Sequence, residues 1–306
     1  MISFFDASGE LFLANLTRIQ EANEDVQRQI SSGFKVSAPQ DAPDQVSLIL
    51  QLQAQAAANT RTEANLQQAK SSVNLADGAL TDALKLIDDA SSAGAEALSV
   101  SANASSRQIL AGRVQSILEH AVSISQMQAG GRYIFSGDLY QSPTYAVNLA
   151  NSNGVTRIQV PTNSLSVQDS NGNSIQTTLT ANEIFDHRNP DDSYASDNLF
   201  ASLTNLINGL NADDTDAISA AVASLKSAGS WINQKQGFYG AAQNRLDSAI
   251  ATSQSLSTSL KTRLSELRET DFVEAALALT TGQTQLQAAM SARAKVPQTS
   301  LFDFLG

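Results

Sequence analysis

The chain has 306 residues, no cysteine and a formal net charge of −11, so disulfides, thiolate metal ligands and thiol nucleophiles are excluded. Hydrophobic residues make up 42% but aromatics only 6%; an apolar set of Ala, Leu, Ile and Val suits closely packed helices better than one thick globular core. An acidic surface repels nucleic-acid phosphates and the anionic face of a membrane, so neither is an expected partner.

The first six residues, Met1-Ile2-Ser3-Phe4-Phe5-Asp6, have no basic region, continuous apolar core or small-residue cleavage site. Export without a cleaved signal peptide is therefore one expectation. No apolar run reaches the roughly 18 residues that cross a bilayer, and membrane insertion is not expected.

Phe12, Leu16, Ile19, Asn23, Val26 and Ile30 alternate spacings of four and three, the seam by which one helix packs along another. Asn23 lies within it, where a polar residue fixes register at some cost in stability. Gly33 stops the helix, and the segment from Ser37 to Pro43 reads as a linker. A second helix is expected from about Asp44, its best stripe running through Leu66, Ala69, Val73, Ala76, Leu80, Ala83 and Ile87. Breaks are expected at Ser91–Gly94 and Asn103–Ser105. A third helix then carries Leu110, Val114, Ile117, Ala121 and Ile124 and ends at Gly130-Gly131.

Between about 136 and 195 the pattern changes. Val155–Val160 and Ser174–Thr178 alternate, are rich in β-branched residues and lie among Asn/Gly/Asp/Ser clusters, the signature of a small hairpin-rich insert. Helical pattern resumes at Asn198–Leu210 and Asp214–Gly229. A long helix is expected over about Ser230–Leu267, with Leu246, Ile250, Ser253, Leu260, Leu264 and Leu267 on one side. The last helix, about Asp271–Val296, carries Phe272, Ala276, Leu279, Gln283, Leu286 and Met290 as its seam. Pro297 ends it, before an apolar tail with Leu301, Phe302, Phe304 and Leu305.

The fold class is thus mainly α, a long antiparallel helical bundle or coiled coil formed by the N- and C-terminal regions with a small β-hairpin-rich insert in the middle. Three domains are expected. Residues 1–43 with 268–306 would be terminal assembly helices, 44–137 with 230–267 a helical rod, and 138–229 an outer insert of hairpins then helices. The terminal helices are short and tethered by a linker, and would be marginal alone. They make better sense completing their packing against other subunits.

No chemistry emerges from the polar residues. His120 and His187 have no zinc-ligand spacing. Asp169-Ser170-Asn171-Gly172-Asn173 lacks the ligand pattern and terminal Glu of a calcium loop and reads as a hairpin turn. Gly130-Gly131 follows a helix and not a strand, unlike a phosphate-cradling loop. Asp41, Asp44 and Asp213, Asp214, Asp216 stand at helix starts, where capping explains them. No catalytic residue, metal site or cofactor is assigned, and an enzyme is not expected.

Two groups of motifs at opposite ends carry a resemblance. Gln29-Ile30-Ser31-Ser32-Gly33-Phe34-Lys35-Val36 followed by Asp41-Ala42-Pro43 resembles the "LSSGKRV…DDP" segment of the flagellin family, with Gln40 in place of one Asp. Near the other end, Gly240–Leu246 with Asn244-Arg245, Thr270–Glu274 with Asp271, and Leu286–Met290 resemble its C-terminal region. Within the family, Gly131-Arg132-Tyr133-Ile134-Phe135-Ser136-Gly137 and the ending Ser300–Leu305 are similar to the hook-associated proteins of the hook–filament junction (FlgL type). The motif residues are Ser32, Gly33, Asp41, Tyr133, Phe135, Gly137, Asn244, Arg245 and Asp271.

The resemblance implies a structural subunit of the bacterial flagellum, outside the cell, assembling with copies of itself and with neighbouring axial proteins (a hook-associated protein and flagellin). It also implies an export chaperone and the flagellar type III export apparatus. Filament flagellin is the nearest alternative, and a chemotaxis-receptor-like signalling helix is a more distant one.

Overall fold

The computed structural model describes the backbone of residues 3–294 and the side chains from Gly9 onward. Seven helices lie in the order α1 (Ser3–Ser32), α2 (Val46–Ala97), α3 (Ala104–Ser125), α4 (Ala181–Ile184), α5 (Leu199–Asn211), α6 (Thr215–Arg268) and α7 (Phe272–Ala294). Three short antiparallel hairpins fall between α3 and α4. They are β1–β2 (Gln128–Ala129, Arg132–Tyr133), β3–β4 (Tyr145–Val147, Val155–Arg157) and β5–β6 (Ser166–Gln168, Ser174–Gln176). The chain divides into two compact units, 1–58 with 257–306, and 59–256.

In the second unit the apolar stripes read from the sequence are the buried ones. Leu66, Val73, Ala76, Leu80, Ala83 and Ile87 of α2 meet Leu110, Val114, Ile117 and Ala121 of α3 in one core, with Leu246 and Ala249 of α6. Many of these residues are alanines, so the backbones approach closely. At Gly94 an added Cβ would overlap Val222 of α6.

Three boundaries differ from expectation. The Ser91–Gly94 segment does not break α2, because Ala90, Ala93 and Ala97 are fully buried and hold the helix together. Asp214–Gly229 and Ser230–Leu267 form one helix, α6; Gly229-Ser230 lacks any turn partner, and Ala228 and Ile232 on either side are buried. Gly130-Gly131 does not end α3, which stops at Ser125. Both glycines have positive φ, +57° and +76°, and make the two-residue turn of the β1–β2 hairpin, as such turns require.

Four aromatic rings pack together where the insert joins the rod. Phe135 and Phe185 meet edge to face at 5.4 Å, Tyr145 and Phe200 lie 5.2 Å apart, and Phe185 stacks on Phe200 at 6.1 Å. Ring packing supplies the bulk that short strands cannot. Beneath them Asp186, with its side chain fully buried, accepts from Arg157 (3.1 Å), Arg188 (3.0 Å), Tyr145 (2.9 Å) and Asn198 (2.7 Å). Burial and the neighbouring Asp186 charge push the Tyr145 phenol far up, so the hydroxyl stays a donor.

The insert is also tied to the helices of its own unit. The β5–β6 hairpin folds back onto helices, with its turn residue Ser170 donating to Asn59 Oδ1 (2.9 Å). Asn59, buried on α2, also donates to the Ser253 carbonyl of α6 (2.8 Å) and accepts from the Ser253 hydroxyl (2.9 Å). A buried amide is stable only when satisfied, and here it needs both the helix and the hairpin turn. Asp169 closes the turn by accepting from the backbone of Asn171 and Asn173, so its carboxylate is already engaged in the turn.

Candidate assembly interface

The first unit contains α1 and α7, which run antiparallel. Arg293 lies over the Phe12 ring at 5.5 Å, Asn23 faces Gly282, and Gly33 lies 3.8 Å, measured from its would-be Cβ, from Phe272. These three pairs share one register. All six seam positions of α1, Phe12, Leu16, Ile19, Asn23, Val26 and Ile30, are half-buried, and every other residue from Glu10 to Arg28 is exposed.

On α7 the stripe differs from the one read by spacing. Ala275, Leu279, Gly282, Leu286 and Ala289 are the covered positions. Of the expected residues Leu279 and Leu286 are on it, whereas Phe272, Ala276, Gln283 and Met290 are exposed. The reason is steric. A Cβ at position 282 would meet the side chain of Asn23, so the seam uses small residues where the two helices come close. The large side chains Phe272 (57% exposed), Val273 (80%), Leu277 (67%) and Met290 (58%) stand outside the pair, as do Leu11 and Leu13 of α1. Leu301, Phe302, Phe304 and Leu305 lie outside the described residues.

The two helices enter the unit through an elbow. Gly33 turns the chain with φ +76°, and Phe34 and Glu269 form an antiparallel bridge. Lys35 N–H donates to the Arg268 carbonyl (2.8 Å) and Thr270 N–H to the Gly33 carbonyl (3.0 Å). The Lys35 ammonium bonds the Glu266 carbonyl (2.7 Å), near the C-terminal end of α6 where the helix dipole favours a cation. Arg268 lies over the Phe34 ring at 4.7 Å.

The motif residues serve this elbow and the insert. Asp41 accepts from the backbone of Ala38 (2.7 Å) and Ser37 (2.9 Å) and from the Ser37 hydroxyl (3.0 Å). Those hydrogen bonds, that of Ala38 first, hold its carboxyl below the usual range. The Ser32 hydroxyl accepts from Phe34 N–H (3.2 Å), and Asp271 caps α7 by accepting from Val273 (2.9 Å) and Glu274 (3.2 Å). Tyr133 N–H bonds the Tyr140 carbonyl (2.9 Å), and Phe135 is buried. Gly137 has φ +52°, and a Cβ there would overlap the Asn163 carbonyl. Arg245 donates to the Ser174 carbonyl (3.2 Å) beside Asn244, fastening β6 to α6. Sequence reading missed Gly282, Ala275 and Ala289. Their signal was the four–three spacing of small residues, masked by larger neighbours.

Among the described residues no group of three or more His, Cys, Asp or Glu is placed to hold a metal ion, and no helix is long and apolar enough to cross a membrane. The geometry is that of an interface: a paired set of terminal helices with apolar side chains turned away from one another.

Residues 218–305 match the bacterial flagellin C-terminal helical region. By sequence no curated protein matches the chain. Among solved structures, a Vibrio parahaemolyticus flagellar hook-associated protein is similar over 75% of this chain and 100% of its own, with a TM-score of 0.65 at 15% identity. The flagellar hook-associated protein 3 of Legionella pneumophila is similar over 72% and 98%, with a TM-score of 0.62 at 15% identity. Xanthomonas campestris FlgL is similar over 69% and 98%, with a TM-score of 0.59 at 15% identity. Residues 218–305 are thus similar to the flagellin C-terminal region, and the fold is that of the solved flagellar hook-associated proteins.

Proposed function

We propose that the chain is a structural subunit of the bacterial flagellum, a hook-associated protein at the junction between hook and filament. The observation that carries this reading is the antiparallel α1–α7 pair, which leaves Val273, Leu277 and Phe272 exposed. Apolar side chains on one small element are covered at little cost by like helices of neighbouring subunits. Residues 1–43 with 268–306 then serve as assembly helices, 44–137 with 230–267 as the helical rod and 138–229 as the outer part. The partners are further copies of the chain and the adjoining hook-associated protein and flagellin. An export chaperone shields the terminal helices before passage through the type III apparatus, and the subunit works outside the cell.

Filament flagellin is the second reading, favoured by the match of residues 218–305 to the flagellin C-terminal region. Immunogold electron microscopy of intact flagella, with an antibody to residues 145–190, separates the two. A single labelled spot where hook meets filament is expected. Label along the filament would make the chain a filament subunit and overturn the junction assignment.

A further inference from the structure

The elbow contains an open pocket of about 140 Å³ walled mainly by Val36, Pro39, Val46, Ile49 and Leu50, with Ser37, Gln53 and Arg268 at its polar side. That volume is about what a benzene-sized group fills. Its single charged wall residue, Arg268, is half-buried and makes no ion pair among the described residues. The site therefore asks for a phenyl ring next to a carboxylate. Leu50, on the rim, is 58% exposed.

Leu301-Phe302-Asp303-Phe304-Leu305, beyond the described residues, is such a segment, with a ring on either side of its carboxylate. Its own chain presents it badly. α7 starts beside the elbow and runs 23 residues away from it, about 34 Å at 1.5 Å per residue. From Ala294 back to the elbow, Phe302 could reach only about 28 Å even fully extended, and Phe304 about 35 Å with no slack. A second copy has no such limit.

We propose that the elbow cavity is a docking site for the C-terminal segment of another copy of this chain. One phenyl ring, of Phe302 or Phe304, fills the cavity, and Asp303 pairs with Arg268. Each subunit then offers a socket at its elbow and a plug at its C-terminus, a head-to-tail contact that propagates until a ring closes. The inference rests on the self-assembling role proposed above, but its test does not depend on where in the flagellum the chain sits.

The absence of cysteine allows a clean test by disulfide trapping in the full chain. Leu50→Cys and Leu305→Cys proteins are purified separately, mixed and mildly oxidised. Cross-linking between the two is expected at least tenfold faster than between Leu305→Cys and Val100→Cys, which is fully exposed in the other compact unit. Arg268→Glu in the Leu50→Cys chain should remove that advantage, and Asp303→Arg in the Leu305→Cys chain should restore it. Equal rates with the Val100 control would overturn the proposal. So would a chain carrying both Leu50→Cys and Leu305→Cys that closes only on itself, because the tail would then fill its own socket. A charge reversal with no effect, or no rescue, would refute the pairing of Asp303 with Arg268. Failure of the trap would leave the junction assignment standing, whereas filament-wide immunogold labelling would leave the trap unaffected.

Discussion

At the scale of single residues, the polar side chains described above place backbone. Asp41 holds the 37–41 turn, Asp271 starts α7 and Asp186 anchors two arginines under the insert. Gly137 is required twice over, by its positive φ and by the nearby Asn163 carbonyl. Asp41 makes a pH prediction. Its folded carboxyl lies below the ordinary value because the Ala38 and Ser37 amides donate to it. The turn is therefore fully stabilised above about pH 4 and loosens as pH falls through the depressed folded value. Exchange of the Ser37 and Ala38 amides should quicken below that pH in the native chain. In Asp41→Ala it should be fast throughout and independent of this carboxylate. An unchanged exchange rate in the variant would mean the turn is held by other contacts.

At the scale of elements, the α1–α7 pair shows how a seam of small residues escapes a reading by spacing. Leu279 and Leu286 were legible as seam residues, but Phe272, Ala276, Gln283 and Met290, placed on it by spacing, stand exposed. The true stripe places Gly282 against Asn23, a polar residue opposite a gap, which fits only one antiparallel register. Replacing Gly282→Leu adds helix propensity worth about 1 kcal/mol but overfills the contact, at a cost of about 1–3 kcal/mol. The clash is expected to win. Amide exchange should then rise across residues 9–30 while unit 59–256 keeps its protection. A more protected α1 would mean that Asn23 swings aside easily and that the close approach is not what sets the register.

At the scale of the whole molecule, stability and assembly draw on different surfaces. The core of unit 59–256 buries Leu66, Leu80, Leu118, Leu203 and Leu246 completely. In the other unit, Val273 and Leu277 are mostly exposed on the outside of α7. Val273→Asp with Leu277→Asp should therefore change the melting temperature of the monomer by under about 2 °C, since exposed substitutions stay within about 0.5 kcal/mol. The same pair should abolish assembly into sedimentable polymers, because two charges would be buried unpaired at the contact. Normal assembly by this variant would show that the outer face of α7 is not an interface.

The sequence by itself determined the helical class, the α1 seam from Phe12 to Ile30, the α2 and α3 stripes and the turn at Asp169–Asn173. Each depends on periodicity or on a residue's own backbone preference, and both are local. Tertiary structure decided the rest. Whether Gly229-Ser230 breaks a helix depends on the core that buries Ala228 and Ile232. What the turn of the β5–β6 hairpin rests on depends on Asn59, more than a hundred residues away in sequence. The α7 stripe and the elbow cavity likewise exist only once two distant segments meet, because contact distance, unlike periodicity, is not a property of one stretch of chain.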